Sequence, residues 1–118
     1  MRNSLKKLSK KKESEIKLDL ATLLADIKNP LEMNEFLDSF LTETEFIGLS
    51  KRISIIKLLS KGDSYEEIQE KINVSSATIS TTANFKNDKI LEKVINKLNI
   101  DEWASNLAHK INKLLNFN

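Results

Sequence analysis

The chain has no cysteine at all. That excludes disulfides and thiolate metal sites, and it fits a protein kept in the reducing cytoplasm. Two glycines and one proline in 118 residues leave too few turn signals for hairpins, so an all-α fold is expected. No apolar run approaches the ~18 residues of a membrane span, so no membrane partner is expected. The first residues are basic but carry no apolar core, so they do not form a secretory signal. A single histidine, His109, sits on a helical pattern with no metal or base partner in sequence. H-E-x-x-H, a phosphate-cradling glycine loop and G-x-S-x-G are all missing, and no enzyme is expected. A net charge of +2 is too small to name a partner by itself.

What is present is helical periodicity. Hydrophobic residues make up 40% of the chain, enough for one modest domain. Residues 1–13 read as a flexible basic arm, carrying Arg2, Lys6, Lys7, Lys10, Lys11 and Lys12 before the first acid. The arm is either a solvated tail or a contact for phosphates. Residues 14–118 read as one helical domain. Ile16, Leu20, Leu23, Leu24 and Ile27 fall on one face of a first helix, which Asn29-Pro30 ends. A second helix covers Leu31 to Leu41. Thr42 and Glu45 form a capping box for a third, which stops at Gly62. Ser64 and Glu67 form another box for a short helix to Ile72. Asn73 suits the left-handed turn, and Ser75 caps a helix from Ser76 to Asn84. Residues 89–116 read as two further helices, broken at Asn99 and recapped at Asp101. The count is about seven.

Residues 64–84 form the one specific constellation, two short helices about a tight turn. Ile68, Ile72, Val74 and Ile79 face inward. Ser76, Thr78 in part, Ser80 and Thr81 are then presented outward. A helix-turn-helix sets the N-terminal residues of its second helix at base edges, and hydroxyls can pair with bases. Helical pairs of this kind also occur in proteins that never touch DNA.

The segment "LTETEFIGLSKRISIIKLLSKGDSYEEIQEKINVSSATIS", Leu41 to Ser80, resembles the Trp repressor superfamily. It is most similar to the small bacterial Trp-repressor-like branch called YerC/YecD. The shared framework is L-T-x-x-E, L-x-x-R, a leucine pair, a glycine, "SYEEI" and "SSATIS". The resemblance implies a multi-helix, all-α, intertwined homodimer that reads successive major grooves of double-stranded DNA as a transcription regulator. It implies base or phosphate contacts at Gln69, Ser76, Ala77, Thr78 and Ser80, with Thr81, Asn84 and Lys86 beside them.

Ligand control departs from the family. Tryptophan-sensing members sandwich the indole between two arginines. One matches Arg52 and the other falls at Thr81, so no tryptophan corepressor is expected. Thr42 matches a pocket threonine. Arg52 has an alternative use as a helix-surface ion pair. Between Lys61 and Asp88, three cations face five acids, a net of −2. Phosphate contacts are therefore expected from Lys51, Arg52 and Lys57 on the preceding helix and from the arm. Two readings stand: a sequence-specific DNA-binding homodimer, or a helical dimer that keeps the fold as a protein-interaction module.

Overall fold

The computed structural model describes residues 7–85 and 87–116. Among them are six helices and no strand: α1 (Lys10–Asp26), α2 (Pro30–Phe40), α3 (Glu43–Ser60), α4 (Tyr65–Ile72), α5 (Ser76–Ala83) and α6 (Lys89–Leu115). The fold is all-α. No helix among the described residues is long and apolar enough to cross a membrane. The chain divides into two compact units, Met1–Phe46 and Ile47–Asn118.

In the first unit, Ser9 caps α1 by accepting from the Lys12 amide at 3.1 Å. Helix therefore begins at Lys10, inside the stretch read as an arm. The reason is local: lysine is a good helix former, and a polar first turn carries no apolar stripe to announce it. Asn29 Oδ1 accepts from the amides of Leu31 and Glu32, and Pro30 occupies the first turn of α2, where its missing N–H costs nothing. The rings of Phe36 and Phe40 stack with centroids 5.3 Å apart. Neither α1 nor α2 contains a buried residue.

The capping box at the start of α3 forms as the sequence predicts. The Thr42 amide donates to Glu45 Oε1 at 2.9 Å, and the Glu45 amide donates to Thr42 Oγ1 at 3.1 Å.

The second unit is built around three isoleucines. Ile55 of α3, Ile68 of α4 and Ile79 of α5 are fully buried and form one cluster, flanked by Leu58, Leu59, Ile72 and Val74. Each connection has an identifiable stop. At Gly62, φ is +91°. The Gly62 amide bonds the Leu59 carbonyl and the Asp63 amide bonds the Leu58 carbonyl, the double closure of a Schellman motif. Ser64 and Glu67 complete the second capping box. Asn73 takes the left-handed conformation at φ 51°. Ser75 Oγ accepts from the Thr78 amide.

The chain beyond Asp88 differs from the sequence expectation. Residues 89–116 do not hold two helices, because α6 runs unbroken for 27 residues. Asn99 is a mediocre helix former but no breaker; its penalty is below ~1 kcal/mol. Neither glycine nor proline interrupts the run, so the ladder of amide bonds continues through Asp101. Glu102, one residue on, lies 2.5 Å from Lys57 Nζ and 3.8 Å from Lys61 Nζ. Those ion pairs tie the middle of α6 to α3.

If the isoleucine cluster holds the reading head together, Ile55→Ala should destabilise the chain by ~2–5 kcal/mol, the usual cost of a cavity at a buried aliphatic site. Urea unfolding followed by far-UV circular dichroism measures it. Ile53→Ala, half-exposed on the same helix, serves as the control with a much smaller loss.

Candidate nucleic-acid interface

α4 and α5 make a helix-turn-helix whose orientation is set from below. With Ile68 and Ile79 buried on Ile55, the opposite side of α5 must face solvent. Ser76, Ala77, Thr78, Ser80, Thr81 and Asn84 are all exposed, while Gln69 of α4 is only partly so. Lys86 lies outside the described residues. The turn is clamped from α3, because Lys51 Nζ donates to the Asn73 carbonyl at 3.1 Å. That bond neutralises the C-terminal end of α4, where the helix dipole is negative.

The hydroxyls of α5 are not equivalent. Thr81 Oγ1 donates to the Ala77 carbonyl at 3.0 Å, and Thr82 Oγ1 donates to the Thr78 carbonyl at 2.8 Å. Each has given up its proton and can only accept. Thr78 Oγ1 lies 2.8 Å from Ser75 Oγ, one hydroxyl donating to the other. Ser76 and Ser80 keep hydroxyls with no hydrogen bond among the described residues. They stand one turn apart on the exposed face and can both donate and accept.

Beside α5 lies an open groove of about 680 Å³, lined from α3 by Gly48, Lys51 and Arg52 and from the turn and α5 by Ser75, Thr78 and Thr81 among others. Arg52 and Thr81, far apart in sequence, thus share one groove. The Arg52 guanidinium is exposed and forms no ion pair among the described residues, so the helix-surface pair considered from sequence does not form. Thr42 lends its hydroxyl to the α3 cap.

The remaining cations are largely engaged. Lys71 is held by Asp63 at 2.7 Å, and that hydrogen bond raises the lysine pKa further above its ordinary value. Lys57 and Lys61 share Glu102. The hydrogen bond from Lys57, aided by the charges of both lysines, holds the Glu102 carboxyl below the usual range. Local spacing does not announce these partnerships, because the partners stand more than two helical turns apart in the chain.

A family model described as the Trp repressor protein matches residues 15–98. The chain belongs to that family. Its members are regulatory DNA-binding proteins of the helix-turn-helix kind, and the head described above is that element. Comparisons with curated proteins and with solved structures gave no match. In this Trp repressor family member, the groove at the head keeps one arginine, Arg52, and faces it with Thr81, whose hydroxyl proton is already donated to Ala77.

Two outcomes follow. One guanidinium without a second cannot enclose an indole ring, so calorimetric titration with tryptophan should give no heat of binding at micromolar concentrations. The second concerns acid. The folded chain binds the Glu102 proton less tightly than the unfolded chain does, so the pair's stabilisation is complete at neutral pH. It is lost as pH falls below about 4.3 toward the depressed folded value. Glu102→Gln should flatten the acid limb of the urea midpoint plotted against pH.

Proposed function

We propose that the chain is a sequence-specific DNA-binding transcription regulator that acts as a homodimer, in the cytoplasm of a bacterium, and that it lies in the YerC/YecD branch of its family. The observation that carries this reading is the exposed face of α5. Ser76 and Ser80 are exposed there with their hydroxyls unspent, in the first turns of the helix that such a motif lays in the major groove. Each hydroxyl can pair with any base edge, and the methyl groups of Ala77 and Thr81 can meet a thymine methyl. The amides of Ser76 and Ala77 at the start of α5, together with the unpaired Arg52, offer a place for a backbone phosphate.

The homodimer is supported by the apolar surface of α1 and α2. Leu18, Leu20, Leu23, Leu31 and Phe40 are exposed, and helices with uncovered apolar stripes are stable only when something covers them. A second copy does so, and a paired head gives the two-fold symmetry that half-sites a helical turn apart require.

A second reading draws on the cation inventory. With Lys51 on Asn73, Lys57 and Lys61 on Glu102 and Lys71 on Asp63, few positive charges remain for phosphates. A helical dimer serving as a protein-interaction module fits that shortage.

Selection from random duplex DNA at defined salt separates the two. The regulator reading expects an enriched palindromic site. Ser80→Ala should then relax one base pair of each half-site, at a cost of ~1–3 kcal/mol. Glu102→Gln frees Lys57 and Lys61 and should raise affinity and steepen the salt dependence. Removing residues 1–8 keeps the Ser9 cap and deletes Arg2, Lys6 and Lys7. If all binding is blind to sequence and disappears with that deletion, the interaction-module reading stands instead.

A further inference from the structure

The family match stops at residue 98, yet α6 continues to Leu115. We propose that this extension carries a self-pairing interface: the stripe Ile100, Trp103, Leu107, Ile111 and Leu114 docks antiparallel on the same stripe of a second copy, centred on Leu107.

All five side chains are exposed, from 42% at Leu107 to 74% at Leu114. On an ideal helix they fall within an arc of ~80°, a coherent face rather than scattered apolar residues. The face points away from the rest of the unit. Glu102, which reaches back to Lys57 and Lys61, sits ~140° round the helix from Leu107. The ion pairs that fix α6 to α3 therefore leave the stripe outward.

The occupant is named by the stripe's own symmetry. Ile100 and Leu114 each stand seven residues from Leu107, and Trp103 and Ile111 each stand four. Reversed about Leu107, the apolar positions coincide with themselves, which is what a two-fold interface demands: each residue meets a counterpart that meets it in return. Antiparallel packing also brings Lys110, which flanks the stripe on the side of Trp103, beside the partner's exposed indole edge, where a cation is welcome.

The contact spans roughly 21 Å, from the helical rise, and so short a helix pair is marginal alone. It adds to other contacts between copies by raising their effective concentration. The proposal needs two copies within reach but no DNA reading, so sedimentation of the unaltered chain and the selection experiment report separately on those other claims.

The absence of cysteine makes the test direct. In the full chain, Leu107→Cys should form a disulfide-linked dimer on mild oxidation. Its yield should exceed that of Asn112→Cys, on the far face, by roughly tenfold or more. The register is read with Ile100→Cys and Leu114→Cys: each alone should cross-link poorly, and the mixture should cross-link well. Far-UV circular dichroism confirms that each variant is helical, and the mixture carries the test if Leu107→Cys does not fold. Equal cross-linking at Leu107 and Asn112, or better self-linking of Ile100→Cys than of the mixture, would overturn the antiparallel pairing.

Discussion

Ile55, Ile68 and Ile79 come from three successive helices and meet where water is fully excluded. Because α4 and α5 are each only two turns long, neither has the length to be stable by itself. Their rotation about their own axes is decided by where those isoleucines must go. Once Ile79 is inward, Ala77 and Thr81 stand on the far side of α5 by helical geometry, and Ser76 and Ser80 are exposed beside them. The chemistry of the reading face is thus a consequence of a hydrophobic contact made on its other side. The caps act in the same sense. The left-handed Asn73 and the Schellman closure at Gly62 give the chain sharp stops, and Lys51 fastens the turn from α3.

Electrostatics works against that geometry. A helix-turn-helix gains most of its sequence-independent affinity from phosphate neutralisation. Here the acids of the second unit have partnered the cations closest to the head. Asp63 holds Lys71, and Glu102 of α6 holds Lys57 of α3 and Lys61 just beyond its end. Every pair keeps at least one partner well exposed, so each contributes little to stability. Their larger consequence is for binding, since a phosphate must compete with a carboxylate already in place. Arg52 is the exception on α3, exposed at the groove and unpaired among the described residues.

The caps and turns could be read from sequence because they are local. A serine or threonine followed three residues later by glutamate forms its box within one turn, whatever the rest of the chain does. The inward set Ile68, Ile72, Val74 and Ile79 was legible from periodicity, and so was the all-α class. What could not be read has separate causes. A break at Asn99 rests on propensity, a weak preference that an otherwise unbroken helical run overrides. The start of α1 carries no apolar stripe, because its first turn is polar. The Lys57–Glu102 and Lys51–Asn73 contacts join residues with no sequence relation to one another, so no spacing rule could find them. They are also the contacts that decide which cations remain for a ligand.

The groove between α3 and α5 brings Arg52 and Thr81 together. A threonine at residue 81 offers no second guanidinium and leaves α5 without a charge. The threonine hydroxyl then turns to the Ala77 carbonyl, closing on its own helix. What is left at the mouth is a single guanidinium near the start of α5. A planar, permanently charged fork suits a phosphate oxygen pair as well as it suits an aromatic face. In the proposed reading Arg52 therefore serves the DNA backbone, and α5 needs such a cation because it has none of its own.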